Sequence, residues 1–261
     1  MKFFVQTNLR SEEDNDLFRN TISRYADYVP VVVIPFSDSL ELDGFEESDV
    51  LFGSTTMILT ASKHPEYSKG IWYKTDWFTG THDKLCFGED YLNYDAWIGK
   101  LADLPKDLLG HNELVFVKAE ADDKQMTGSV MTFNQVLDMK TINGKLTSLG
   151  LIDKHMKIQV ASTKEVEAEY RIFVVNKKVV AASRYRPSQQ QGAPKEVIDF
   201  VESKISSVES DVFVVDVGVV GDRLYIVETN CPNASGFYKS NLDDIIDSLV
   251  SFRNFSNSNN S

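Results

Sequence analysis

Residues 216–230 read DVGVVGDRLYIVETN, two apolar runs folded back on a Gly-Asp turn, and no other stretch restricts the chain as much. The pattern predicts a β-hairpin over residues 212–219 and 224–229. A second hairpin is predicted just upstream, residues 169–175 and 179–185, around Asn176-Lys177-Lys178. Glu228 and Asn230 are two apart on a strand, so their side chains leave the same face, in line with Leu224 and Ile226. A carboxylate and an amide at the end of an apolar face need a partner, because burying them bare is costly. A hard cation such as magnesium, bound through oxygen, supplies one. Asp216 joins them only if the turn is an odd-length loop, Gly221-Asp222-Arg223. A two-residue Gly221-Asp222 turn shifts the register by one and sends Asp216 to the other face. A plain hairpin with a solvated carboxylate and an asparagine closing the strand fits this segment equally well.

Two further groups carry charge in a suggestive order. Residues 114–118 (LVFVK) read as a strand ending on Lys118, followed by a polar segment and a Thr127-Gly128 turn. A lysine there can set a point charge on a phosphate, and main-chain N–H groups of a small-residue loop can cradle the same phosphates. Many strands end in a solvated lysine, so this feature alone is weak. Arg171, Arg184 and Arg186 lie on the upstream hairpin, and period two puts Arg184 and Arg186 on one face. Forked cations side by side call for an anionic ligand or for paired acids between them. Glu169 is near enough in sequence to be such an acid.

The other elements follow from periodicity and capping. A strand is predicted over 2–7, a helix from its cap Ser11 toward Tyr25, and a strand over 29–35. A helix start follows Gly53-Ser54, and residues 70–104 read only as mixed α/β. Thr132 caps a short helix through Met139, residues 157–161 form a strand, and Pro194 opens a helix. A terminal helix is predicted over 242–252, with a disordered Asn/Ser-rich tail over 254–261.

Composition narrows the function. A net charge of -12 argues against bulk nucleic-acid binding, which needs surplus Lys and Arg. Cys86 and Cys231 have no metal-ligand spacing, four scattered histidines mark no zinc site, and the pair fits a reducing compartment. The acidic start does not resemble a signal peptide, and no apolar run approaches the roughly 20 residues of a membrane helix. A cytoplasmic location is the expectation; no membrane partner is expected, and the oligomeric state is not legible.

The order of these pieces resembles the ATP-grasp superfamily, in which Glu-x-Asn-x-x-x-x-Gly reads here as Glu228-Thr-Asn230-Cys-Pro-Asn-Ala-Ser-Gly236. The segments FVKAEADDKQMTGSV, EAEYRIFVVNKKVVAASRYR, VVDVG and VETNCPNASGFY resemble a compact phage and bacterial clade of that superfamily marked by two arginines and a lysine. The resemblance covers about residues 114–238 and is weaker in the front half, at FGSTTMI and YLNYDAW. It implies an α+β class and an ATP-grasp fold, two α+β subdomains gripping ATP, over residues 107–253, preceded by a small α/β N-terminal domain over 1–106. It implies that Lys118 binds the ATP phosphates and that Lys124, Thr127 and Gly128 belong to a loop covering them. Gln159, Val160 and Ala161 would form a hinge whose main chain reads adenine, and Glu169 would bind the ribose. Asp216, Glu228 and Asn230 would hold magnesium, and Arg171, Arg184 and Arg186 would face the γ-phosphate. The implied activity is a carboxylate–amine ligase that forms an amide through an acyl phosphate, with ATP and Mg as cofactors and a small-molecule or peptide acid and amine as substrates. A phosphotransferase and a non-catalytic nucleotide- or protein-binding module on the same fold are the rivals. The hinge lacks the acidic pair of many members, and a second phosphate lysine upstream has no clear match.

Overall fold

The computed structural model describes residues 1–34, 39–121 and 126–258. The chain forms two compact units, each discontinuous in sequence. The first holds residues 1–77, 168–217 and 229–261, the second residues 78–167 and 218–228. The chain therefore does not divide at 106/107 as the linear reading expected.

In the first unit, β1 (Lys2–Gln6), α1 (Glu12–Ile22), β2 (Asp27–Val31), β3 (Val50–Phe52) and α2 (Thr55–Ser62) come first. The strands form a parallel sheet in the order β2-β1-β3. Ser11 caps α1, its hydroxyl accepting from the Asp14 N–H at 3.1 Å. The helix stops at Ile22 rather than near Tyr25, and Leu17, placed on its apolar face by periodicity, is exposed. In the second unit α3 (Gly80–Phe87), β4 (Trp97–Lys100), β5 (Leu114–Ala119), β6 (Ser129–Thr132), α4 (Phe133–Met139), β7 (Lys145–Thr147), β8 (Gly150–Ile152) and β9 (Lys157–Ser162) follow. Thr132 caps α4 in a reciprocal capping box with Gln135, as its sequence suggests. Four of these strands make an antiparallel sheet, β4-β9-β5-β6, and β7 pairs with β8. One face of the larger sheet presents Val115, Val117, Ile158 and Val160 to a core that includes Phe133 and Val136 of α4.

The chain then returns to the first unit with β10 (Ala168–Val175), β11 (Lys178–Arg186), β12 (Gln190–Gln191) and α5 (Lys195–Glu202). β13 (Val212–Val220) and β14 (Arg223–Asn230) then carry the chain into the second unit over residues 218–228 and back, and α6 (Leu242–Ser258) follows in the first. The strand order is β12-β11-β10-β13-β14. Phe173, Val175, Val212 and Val214 share a core with Phe3, Val5 and Phe52 of the parallel sheet, Phe18 and Ile22 of α1, and Ile245 and Leu249 of α6. That shared core is why the N-terminal residues do not stand as a separate unit. The helix α6 runs past Asn254, where composition predicted a disordered tail. Among the described residues no helix is long and apolar enough to cross a membrane.

Both hairpins turn on two residues. Asn176 and Lys177 have φ of 51° and 57° between Val175 and Lys178, the two positive values that a type I′ turn needs. Gly221, with φ of 56°, and Asp222 connect β13 to β14. The odd-length loop that the metal reading required is thus absent, because glycine takes the left-handed backbone that closes the shorter turn. The Asn176 turn makes a direct test. Asn176→Val is expected to cost on the order of 1–2 kcal/mol in urea unfolding, since a β-branched residue resists positive φ, while Asn176→Gly should lose none of it.

Candidate active site

Each unit carries a polar cluster at the edge of its core. In the first unit the inward rows of β10 and β13 both end in charge: Val175, Phe173 and Arg171 on one strand, Val212, Val214 and Asp216 on its neighbour. Asp216 is 1% exposed and Arg171 8%, so neither charge is bearable without the other. They meet as a fork, with Arg171 Nε donating to Asp216 Oδ1 at 2.8 Å and Nη2 to Oδ2 at 2.7 Å. Burial alone would push the Arg171 pKa down, but the Asp216 carboxylate reverses this and holds it above the usual value. Arg171 Nη1 reaches the Gly236 carbonyl at 3.3 Å, and Asn230 Nδ2 donates to Asp216 Oδ2 at 3.4 Å. Asp216 and Asn230 are therefore brought together despite the two-residue turn, a meeting that register counting did not anticipate.

Tyr185 and Tyr238 stack beside this pair, centroids 4.8 Å apart and planes within 10°. The Arg171 guanidinium lies 5.0 Å from the Tyr238 ring centroid and 5.7 Å from that of Tyr185. The Tyr185 hydroxyl donates to Glu169 Oε2 at 2.5 Å, and Arg186 Nη1 donates to Glu169 Oε1 at 2.8 Å. Burial, with Asp216 and Glu169 adding to it, raises the Tyr185 pKa far enough to keep a neutral phenol as the donor. The ion pair foreseen as the bland account of the arginine cluster is thus present. Arg184 and Arg186 take different protein partners, Ser188 and Glu169. The β10–β11 register slips between Glu169 and Tyr170, pairing them with Arg186 and Arg184 and leaving Tyr185 as the extra residue. Arg184 is turned to Ser188, donating to its carbonyl at 3.2 Å and its hydroxyl at 3.1 Å. Tyr185 is not singled out by the sequence, where the bulge that presents it leaves no mark, and Tyr238, at the end of the 233–238 loop expected to help choose the substrate, has a positive φ that only the backbone shows.

In the second unit β5 points Val115, Val117 and Ala119 into the core, so Leu114, Phe116 and Lys118 leave by the other face. Lys118 Nζ donates to Glu228 Oε2 at 2.5 Å across 110 positions of sequence. Burial would lower the Lys118 pKa, and the Glu228 carboxylate more than offsets this, leaving it raised. Gly128 lies on the same face, where a Cβ would fall 2.9 Å from Phe116 Cζ and 3.5 Å from Lys118 Cβ. Lacking one, the main chain lies directly on that ring and lysine stem. Thr127 is tied by its N–H to the Leu149 carbonyl at 2.7 Å, and Lys124 lies outside the described residues.

Gln159 and Val160 sit inside β9, paired with β4 on one side and β5 on the other, and Ala161 pairs with Phe116 of β5 alone. The main chain of Gln159 and Val160 is thus flanked by strands on both sides, whereas Ala161 lies just beyond the end of the β4 pairing. The Gln159 side chain is wholly buried, its Oε1 accepting from the Tyr91 hydroxyl at 2.8 Å. Its Nε2 is buried with no hydrogen-bond partner among the described residues. Burial pushes the Tyr91 pKa up to about 12, so the phenol stays protonated.

Residues 91–248 match a family model described as ATP-grasp domain, R2K clade family 2. Solved structures of similar fold include a D-alanine–D-alanine ligase from Bacillus anthracis complexed with ATP, at 14% identity and TM-score 0.64, covering 99% of both chains. A RimK-domain ATP-grasp protein from Sphaerobacter thermophilus matches at 11% identity and TM-score 0.60, covering 97% of this chain and 99% of that one. The macrocyclase MdnC of Microcystis aeruginosa, bound with precursor peptide MdnA, matches at 11% identity and TM-score 0.55, covering 96% and 100%. No curated protein sequence matches the chain. At these identities the likeness establishes the fold, which is ATP-grasp.

The buried fork predicts a non-additive mutant cycle. Arg171→Leu should cost about 3–5 kcal/mol in urea unfolding, because it strands a buried carboxylate. Arg171→Leu with Asp216→Leu should be clearly less damaging than the sum of the single changes. Additive costs would show that the two charges are not coupled.

Proposed function

The chain belongs to family 2 of the R2K clade of ATP-grasp domains, and from that premise we propose that it is a magnesium- and ATP-dependent ligase joining a carboxylate to an amine. The observation that carries the reading is the 2.5 Å contact of Lys118 with Glu228, which sets a phosphate-binding cation beside a metal-binding carboxylate. The fold is shared with a ligase complexed with ATP and with a macrocyclase bound with a precursor peptide, which supports an acid and an amine of small-molecule or peptide type.

The residues present fit both ligands. For the nucleotide, the Gly128 main chain lies close against the Lys118 stem, and Lys118 supplies the charge. For the metal, Asp216, Glu228 and Asn230 offer hard oxygen donors only. Among the described residues there is no cluster of three His, Cys, Asp or Glu that could hold a metal by itself. Magnesium in nucleotide sites takes one or two carboxylates and completes its shell with phosphate and water, so no such cluster is required. When bound, the metal supplies neutralisation of charge on the phosphates.

In the proposed reaction a carboxylate oxygen of the acid attacks the γ-phosphorus of ATP. The bond to the bridging β–γ oxygen breaks, and ADP leaves. A neutral amine then adds to the acyl carbon, and phosphate departs as hydrogen phosphate, taking up the proton that the amine nitrogen loses. Lys118 neutralises the phosphate chain, and the Thr127-Gly128 segment orients it. Arg171 holds Asp216 and the Gly236 carbonyl in place, so its part is to fix a metal ligand. Arg184 and Arg186, farther out on β11, are the arginines proposed to meet the transferring phosphoryl group.

Calorimetry with Mg-ATP tests the reading. The wild type is expected to bind with an affinity on the order of micromolar, and Glu228→Ala with Asn230→Ala to abolish that binding. ADP release that depends on both an acid and an amine supports the ligase, whereas amine-independent release would assign a phosphotransferase. A well-folded wild type that does not bind Mg-ATP overturns both.

A further inference from the structure

The segment that follows Asn230 leaves the sheet and carries no strand of its own, only a short 3-10 turn at Pro232–Ala234. What holds it is Asn233, which is 1% exposed. Its Nδ2 donates to the Leu51 carbonyl at 2.7 Å and to the Gly70 carbonyl at 3.2 Å. Its Oδ1 accepts from the Trp72 N–H at 2.8 Å and from Cys231 Sγ at 3.6 Å. An asparagine amide has two donor hydrogens and two acceptor lone pairs, and here all four are used. Two carbonyls on the nitrogen side and a main-chain N–H on the oxygen side leave the amide a single orientation. The Asn233 main-chain carbonyl adds a fifth tie, accepting from the Gly53 N–H at 2.9 Å.

We propose that Asn233 is a positioning residue for the metal–nucleotide site, fixing the segment 231–236 so that Asn230 stays on Asp216. This rests on the reading of Asp216, Glu228 and Asn230 as magnesium ligands. Leu51 belongs to β3, which is already secured by its pairing with β1, so Asn233 anchors the segment to a frame that stands without it. The segment is drawn tight around this anchor. Ser235 Oγ donates back to the Cys231 carbonyl at 2.8 Å, and the Ala234 N–H to the same oxygen at 3.2 Å. Its far end is held at Gly236 by Arg171, the residue that also grips Asp216. Asn230 is thus set from one side by its strand and from the other by a pinned loop. A ligand amide held only by its strand end would sample several rotamers, and metal affinity would fall accordingly.

The test compares binding of ATP with magnesium and of ATP in EDTA, by calorimetry, for the wild type, Asn233→Ala and the milder Asn233→Ser. In the wild type, magnesium should tighten ATP binding. In both variants that gain should shrink about tenfold or more, while affinity in EDTA stays at the wild-type value and raised magnesium restores tight binding. A wild-type magnesium gain in both variants overturns the proposal, and so does an equal loss with and without magnesium, which marks a general packing role. Failure of both variants to fold, read by circular dichroism, also overturns it by making Asn233 part of the core. A wild type that binds no Mg-ATP, or gains nothing from magnesium, rejects the ligase reading itself and is told apart from the other outcomes by the wild-type trace alone.

Discussion

A carboxylate that is 1% exposed at the end of a valine row would destabilise any fold, and this one tolerates it because Arg171 stands on the next strand. The desolvation of two charges is large, and a pair of this kind is kept for what it specifies more than for net stability. Here it specifies a great deal. One guanidinium takes both oxygens of Asp216, holds the Gly236 carbonyl and lies against two stacked tyrosines. A lysine in its place would offer a point charge and could not hold the carboxylate in a plane while keeping a third contact.

Around that pair the first unit is arranged as successive rows. The β10 and β13 rows begin in a core of phenylalanines and valines and finish in charge, while Phe237 stacks on Phe173 with centroids 5.2 Å apart. Phe237 and Tyr238 thus split the work of adjacent positions, one half-buried against the core and the other standing 43% exposed beside Arg171. Tyr238 has φ of 49°, a backbone that costs a non-glycine residue energy and that the surrounding contacts must hold. Strain of this sort belongs where a side chain has to be presented and cannot be left to choose its own direction.

The second unit solves a different problem with one sheet. Its inward face packs against α4, and its outward face carries Phe116 and Lys118, with Gly128 lying flat upon them. Lys118 and Glu228 neutralise one another there. In the proposed site a nucleotide phosphate would compete for the lysine and a metal for the carboxylate, each replacing a charge of its own sign, so that binding would exchange partners within an existing pair.

Much of this is written locally in the chain. Alternation and turn residues set both hairpins, Ser11 and Thr132 announced their helices, and the run from Lys118 through Glu228-Thr-Asn230 was enough to point to the ATP-grasp family, whose model covers residues 91–248. These features are local, written within one strand or one helical turn, and a single sequence displays them. Which residues meet is set by the folded chain. The two-residue turn at Gly221, the register slip at Tyr185, the pairing of β9 on both sides and the five hydrogen bonds of Asn233 each join positions distant in the chain or depend on a backbone angle. A period-two count assumes an unbroken ladder, and one extra residue reverses every face beyond it. The shared core that draws residues 1–77 to β10, β13 and α6 is of the same kind. Apolar residues show that they must be buried, and nothing in their spacing says against which partner.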